Sequence, residues 1–91
     1  MDTRRKFDDG GHEVPTVLQW RGHRFLFYSK EIGEPPHIHV LKDAKQMKVW
    51  LRDLRLARNA GFAGHEINAI MKIVAENQDR FLEAWDDYFG N

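Results

Sequence analysis

The stretch Glu34-Pro35-Pro36-His37-Ile38-His39-Val40 decides the fold of this chain. The two prolines fix φ at about −65° and disfavour helical geometry in the residues before them, so the chain reaches His37 extended. Side chains alternate between the faces of a strand, which places Ile38 and Val40 on one face and both histidines on the other. The stretch therefore predicts a strand with a core face and an opposite face that carries two neighbouring imidazoles.

Two strands are predicted before this stretch. Thr16 to Trp20 alternates and forms the first strand. Gly22 and His23 lie between two apolar runs, a spacing typical of a two-residue hairpin with Gly at the first central position. Arg24 to Ser29 is aromatic on both faces, which favours a central strand. Lys30 to Pro36 is then the connecting loop.

Further extended segments are predicted after it. The third strand runs from His37 to about Lys42, and residues 43–45 form a turn. A fourth strand covers Gln46 to Arg52, and a short extended piece with Leu54 and Leu56 follows. Short connections favour an antiparallel meander of four to five strands.

The carboxy-terminal part has helical periodicity. Apolar residues recur at three- and four-residue steps: Ile67, Ile70, Met71, Val74, Phe81, Leu82, Trp85, Tyr88 and Phe89. One helix over residues 65–89 would be about 37 Å long, and Asn77-Gln78-Asp79 interrupts the stripe, which indicates a bend or a break. We predict a flexible tail over residues 1–14 and one α+β domain over residues 15–91, with one or two helices packed on one face of the sheet.

Composition narrows the class of protein. The chain has 91 residues and is 42% hydrophobic, which is enough for one domain with a real core. It has no cysteine, which excludes disulfides and thiolate metal sites. The basic amino terminus is not followed by an apolar run, so we predict no signal peptide, no membrane span and a cytoplasmic protein.

The zero net charge hides a division. Residues 1–60 carry twelve Lys/Arg and eight Asp/Glu, whereas residues 61–91 carry two and six. This pattern indicates either two surfaces with different partners or two parts that attract each other within the fold.

Several short segments together carry a family resemblance. They are Pro15–Leu18, Arg24–Ser29, Glu34–Val40 and Lys48–Leu51, with Ala60–Phe62, Glu66-Ile67 and Ala84-Trp85 downstream. Over residues 15–89 the chain resembles the small bacterial family known as domain of unknown function 4160. The Glu-Pro-Pro-His-Ile-His-Val run is the most specific part of this resemblance.

The resemblance implies a compact α+β protein of prokaryotic or phage origin. Such proteins are often paired with a second small protein, of domain of unknown function 2442, in toxin–antitoxin operons. No established catalytic residues come with the family. The chain departs from the family in its basic tail and at Ala63, where a serine often caps the helix together with Glu66. Loss of that hydroxyl should cost the helix about 1 kcal/mol.

His37 and His39 allow three interpretations. They can share a metal ion, and the residues available as a third ligand are Glu34, His23 and Glu31. Because no second motif with ligand spacing completes the set, we predict no metal and no cofactor. They can also form the acid–base pair of a metal-independent ribonuclease, since imidazole titrates near neutral pH. The third interpretation is structural: the rings bond loop carbonyls and fix the Pro-Pro turn.

A basic surface is the second candidate site. Six cations fall within seventeen residues: Lys42, Lys45, Lys48, Arg52, Arg55 and Arg58. Lys48, Trp50 and Arg52 alternate onto one face, which could hold phosphates and stack a base. The full predicted binding set is Arg24, Tyr28, Glu34, Lys48, Trp50 and Arg52. A solvated strand face explains the same pattern without function.

The helical side is the third candidate. Phe81, Trp85 and Phe89 exceed what one small sheet needs to cover, so we predict a partner interface there. The acidic residues beside them favour contact with protein rather than with nucleic acid. The expected partner is a cognate small protein, with DNA or RNA as a further ligand and a homodimer as the alternative assembly.

Together these observations predict a non-enzymatic interaction module, one component of a toxin–antitoxin-type pair. The alternative is a metal-independent ribonuclease toxin that uses His37 and His39.

Overall fold

The computed structural model describes residues 16–31 and 33–90, so the predicted tail over residues 1–14 lies outside the described part. Five strands are followed by two helices: β1 (Leu18–Trp20), β2 (His23–Leu26), β3 (His37–Lys42), β4 (Lys45–Trp50), β5 (Arg55–Ala60), α1 (Gly64–Glu76) and α2 (Gln78–Phe89). The predicted α+β class is confirmed.

The five strands form one sheet in the order of the chain. Each strand pairs antiparallel with the next, which confirms the predicted meander. A bulge between Lys48 and Val49 shifts the register of the last pair. Such a bulge bends the strand and increases its twist locally.

The first hairpin differs from the prediction by one residue. Trp20 pairs with His23, so the two turn residues are Arg21 and Gly22 rather than Gly22 and His23. Both have positive φ, 48° and 80°, the geometry of a type I′ turn. Gly therefore occupies the second central position, and β2 starts at His23 and ends at Leu26, before the predicted Ser29.

The later strands were predicted with unequal success. β3 spans the predicted residues, His37–Lys42. β4 ends at Trp50, which leaves Arg52 in the following turn. β5 continues to Ala60, beyond the short extended piece predicted around Leu54 and Leu56. All six of its residues are exposed, so neither face of the strand requires apolar side chains. Its sequence therefore has no alternation of polar and apolar residues from which a strand could be predicted.

The predicted interruption at residues 77–79 is a break into two helices. The Asn77 side-chain amide donates to the Ile73 carbonyl at 2.9 Å, where α1 ends. The Asn77 carbonyl then accepts the Phe81 N–H at 2.9 Å, which starts α2. Asn77 thus satisfies backbone groups that the end of one helix and the start of the next leave open.

The start of α1 carries half of a capping box. The backbone N–H of Ala63 donates to Glu66 Oε1 at 2.8 Å, but Ala63 has no hydroxyl to accept a hydrogen bond in return. Glu66 Oε2 also accepts from Lys45 Nζ at 2.9 Å. These two donors, Ala63 first, lower the pKa of Glu66.

Both helices pack on one face of the sheet and form the core. The sheet contributes Phe25, Ile38, Val40, Met47 and Val49, the segment after β2 contributes Phe27, and the helices contribute Ile70, Val74, Phe81 and Trp85. Phe25 stacks on Phe81 with ring centroids 5.8 Å apart, and Phe27 meets Trp85 edge-on at 5.3 Å. Within the described residues, neither helix has the length and apolar character needed to cross a membrane.

Candidate functional site

The alternation predicted for β3 is confirmed. Ile38 and Val40 are fully buried in the core between sheet and helices. His37 and His39 lie together on the opposite side of the strand, with ring centroids 5.2 Å apart. Register places them opposite Trp50 and Lys48 of β4, respectively.

The histidine side of the sheet is enclosed by other side chains. His37 is 0% exposed and His39 is 3% exposed. The ring centroid of Tyr28 lies 4.4 Å from that of His39, and the ring centroids of Trp50 and Trp85 lie 5.5 and 5.0 Å from that of His37. The chain between β2 and β3 brings Tyr28 and Glu31 back against the strand that it enters, and that return encloses the rings.

Glu31 connects the two rings. Its Oε1 lies 2.7 Å from Nε2 of His37 and 2.7 Å from Nε2 of His39. Its Oε2 lies 3.0 Å from the same His39 nitrogen. The carboxylate is 19% exposed, so it forms the boundary between the buried rings and solvent.

The Pro-Pro turn orients the first ring. His37 Nδ1 lies 2.9 Å from the Pro35 carbonyl oxygen, which can only accept a hydrogen bond. Nδ1 therefore carries the proton, and Nε2 is directed toward Glu31. This arrangement explains why Pro35 and Pro36 precede His37, because the turn presents a carbonyl to the ring.

Burial and hydrogen bonding set the charges here. Burial lowers the pKa of His39, and the nearby Glu31 offsets this only in part. Burial would raise the pKa of Glu31, but hydrogen bonds from His37 and His39 outweigh it and lower that pKa. Near neutral pH, Glu31 is therefore an anion and His39 is a neutral donor to it.

Glu31, His37 and His39 form a group that could hold a metal ion. Their ligand atoms, two imidazole nitrogens and a carboxylate oxygen, all lie within 4.8 Å of one another. The sequence left three candidates for the third ligand, Glu31, Glu34 and His23, and did not distinguish between them. His23 is not part of this group, and its Nδ1 bonds the hairpin carbonyls of Trp20 and Arg21.

Four of the six predicted binding residues surround the histidines. Tyr28 packs on His39, as described. Lys48 Nζ donates to Glu34 Oε1 at 2.8 Å and lies 4.6 Å from the centre of the Trp50 ring. Lys48 is thus neutralised by a carboxylate within the chain.

The other two predicted binding residues lie apart. Arg24 pairs with Leu41 in the register, and its Nε donates to Thr16 Oγ1 at 3.3 Å. Arg52 is exposed in the turn after β4. It lines a groove of about 310 Å³ together with Pro35, Pro36, Trp50, Asp53 and Arg55.

The predicted helical interface residues belong largely to the core. Phe81 is fully buried and Trp85 is 6% exposed, while Phe89 is partly buried against the core cluster. Tyr88 is the exposed aromatic residue of α2, at 46%. Phe81 and Trp85 are buried in the core because the break between α1 and α2 lets α2 fold against Phe25 and Phe27.

The outer strand β5, Arg55–Ala60, is longer than the short extended piece predicted around Leu54 and Leu56. Each of its six residues is exposed, and among the described residues it pairs with β4 alone. Leu56 lies opposite the buried Val49 yet is 41% exposed, so the helices do not cover this strand.

Comparison with known proteins gives a family and no function. The model of the family described as Domain of unknown function (DUF4160) matches residues 22–86, which include all strands from β2 onward, α1 and most of α2. No curated protein matches the chain, and no solved structure does. The chain therefore belongs to the DUF4160 family.

Proposed function

We propose that this chain is a small prokaryotic interaction module, one component of a cytoplasmic toxin–antitoxin-type pair. Its partner is a cognate small protein, of the domain of unknown function 2442 type that the family resemblance implies. The observation that carries the proposal is the outer edge of β5, which pairs with no further strand within residues 16–31 and 33–90.

An open strand edge is a binding surface by its chemistry. The outer edge of β5 presents backbone donors and acceptors in a row, and an extended segment from another chain can pair with them. Natural proteins usually shorten or cover such edges. Six residues, Arg55–Ala60, form a comparatively long edge in a sheet whose other outer strand has three.

Charge indicates what the partner segment carries. Arg55 and Arg58 lie opposite Trp50 and Lys48 in the register, and Arg52 lies just before them. An acidic segment would complement these cations. Two copies of this chain paired along β5 would bring the same arginines to one seam, so a different protein is favoured over a homodimer.

The test is co-purification with the product of the neighbouring gene. We expect one complex in gel filtration, and we expect the double variant Arg55→Glu, Arg58→Glu to lose it while remaining folded by circular dichroism. Lys72→Glu, the same charge reversal on an exposed position of α1, is the matched control and should leave the complex intact. Two wild-type proteins that elute separately would contradict the proposal.

The groove beside Trp50 is where a nucleic-acid contact would fit. Trp50 offers a ring for stacking, and Arg52 and Arg55 offer charges for phosphate. Asp53 in the same groove opposes this charge. We expect labelled single-stranded RNA to bind weakly and salt-dependently, and Arg52→Glu to abolish that binding as measured by fluorescence anisotropy.

The ribonuclease alternative stays a prediction with less support. The Nε2 atoms of His37 and His39 both lie within hydrogen-bond distance of Glu31, and both rings are enclosed. An acid–base pair, in contrast, must reach its substrate. Growth arrest on expression that persists in a folded His39→Gln variant would remove this alternative.

A further inference from the structure

We propose that Glu31, His37 and His39 form a binding site for one divalent transition-metal ion, with Zn²⁺ as the best match. This site is separate from the β5 edge and does not depend on the interaction proposed above.

The donor atoms already converge. Oε1 of Glu31 lies 2.7 Å from each of the two Nε2 atoms, which belong to neighbouring residues on one strand face. Ligands of a tetrahedral zinc ion are about 3.3 Å apart. Each pair therefore needs to separate by about 0.6 Å, which a small displacement of the Glu31 side chain can provide. Glu31 lies on the connecting chain rather than on a strand, and its carboxylate is partly exposed, so it can move.

The proton on His37 makes a cation necessary. Because Nδ1 donates to the Pro35 carbonyl, a neutral His37 ring has its Nε2 lone pair directed at the Glu31 carboxylate. Two lone pairs at this distance repel each other unless a cation lies between them. A metal ion between the two atoms would remove this repulsion. A backbone carbonyl that holds the far nitrogen of an imidazole is the usual support for a metal-binding histidine.

The surroundings favour a tightly held ion. Tyr28, Trp50 and Trp85 enclose the imidazoles, so the ligands are held away from bulk water. The nearest cation, Lys48, is paired with Glu34 and so repels a bound ion less. The exposed side of Glu31 leaves a route for the ion and for water as a fourth ligand.

The ligand set selects the class of metal. Two imidazoles and one carboxylate suit Zn²⁺ and its neighbours in the first transition row. Mg²⁺ and Ca²⁺ prefer sets made of oxygen ligands. A bound ion would cross-link Glu31 to β3 and should therefore stabilise the folded chain.

The experiment uses the full chain after treatment with a chelator and its removal. We expect calorimetric titration with Zn²⁺ to give one ion per chain, and Zn²⁺ to raise the melting temperature where Mg²⁺ does not. Co²⁺ should give the intense visible absorption of a four-coordinate site. A folded wild-type chain that binds no Zn²⁺ would overturn the proposal.

Variants separate this site from adventitious binding. Glu31→Gln keeps the shape of the side chain and should weaken Zn²⁺ binding by about 100-fold or more, since even supporting partners of a metal ligand contribute 10–100-fold. His65→Ala removes an exposed histidine of α1 and should bind Zn²⁺ as the wild type does. Unchanged binding in folded Glu31→Gln, or binding lost in His65→Ala, would refute the assignment.

Discussion

Polar groups have opposite surroundings in two regions of the molecule. One region is the connecting chain between β2 and β3, and the other is the outer strand β5. Around His37 and His39 the chain supplies its own partners, and no buried side-chain nitrogen or oxygen of the described residues lacks a hydrogen bond. Along β5 every residue is exposed and the outer edge meets no other strand among the described residues. The first region draws its hydrogen-bond partners from within one chain, and the second has the features of half an interface.

This comparison teaches where to expect each kind of effect. Substitutions in a closed polar network leave buried partners unsatisfied and act on stability. Substitutions on an exposed strand change little within the chain and act on what binds to it. The following predictions, ordered from the largest expected effect to the smallest, either sharpen this contrast or break it.

Removal of the His37 ring should give the largest effect. His37→Ala leaves the Pro35 carbonyl without its side-chain partner, removes one of the two rings that contact Glu31 and creates a cavity beside Trp50 and Trp85. We expect a loss of about 3 kcal/mol in the free energy of unfolding, measured with urea. Arg58→Ala on β5 is the matched control and should change it by less than about 0.5 kcal/mol. Equal losses in the two variants would abolish the contrast.

Completion of the α1 cap should give a smaller and opposite effect. Ala63 has extended geometry, φ −79° and ψ 165°, and lacks the side-chain acceptor of a helix cap. Ala63→Ser should stabilise the fold by about 1 kcal/mol, seen as a higher urea midpoint with an unchanged slope. The serine hydroxyl would accept a hydrogen bond from a backbone N–H in the first turn of α1. We propose that a partner strand satisfies the backbone groups along β5 in the same way. A lower midpoint would mean that the serine does not cap α1.

The Lys48–Glu34 ion pair lies beside the group formed by Glu31, His37 and His39. It should contribute less to the free energy of unfolding. Lys48 is 15% exposed on its side chain and Glu34 is 44% exposed, so solvent screens the pair. A double-mutant cycle with Lys48→Met and Glu34→Gln should give a coupling of about 0.5 kcal/mol. A coupling as large as the loss in His37→Ala would extend the closed network to this ion pair.

The pH dependence contributed by Glu66 should be the smallest effect. Because hydrogen bonds from Ala63 and Lys45 lower its pKa in the folded chain, the unfolded chain binds more protons at acidic pH. The stability from Glu66 is therefore present above pH 4.5, its ordinary value, and is lost as pH falls through the lowered pKa. Glu66→Gln should flatten the stability profile in this acidic window, measured by urea unfolding at several pH values. An unchanged profile would mean that Glu66 is not linked to folding.

The sequence predicted the parts of the fold that rest on local patterns. The two prolines and the alternation after them gave β3 to the residue, and Asn77-Gln78-Asp79 marked the helix break. The turn at Arg21 and Gly22 was displaced because one glycine fits two turn types that differ by one position. β5 was predicted only as a short extended piece with Leu54 and Leu56, since an outer strand exposed on both faces has no hydrophobic period to mark its extent.

The candidate site was predicted less completely, for a different reason. Which of Glu31, Glu34 and His23 joins the two histidines depends on how the connecting chain returns, and that is a tertiary property. Phe81 and Trp85 were assigned to an interface because a helical stripe does not reveal how much sheet it covers. The split helix lets both side chains reach β2 and the histidine end of β3.

Hydrogen exchange of the backbone amides, with and without the product of the neighbouring gene, tests the central claim most directly. The account predicts that the partner slows exchange along Arg55–Ala60 and leaves the amides of the histidine strand, already slow, unchanged. Protection confined to α2 or to the connecting chain around Glu31, with β5 exchanging as before, would contradict it.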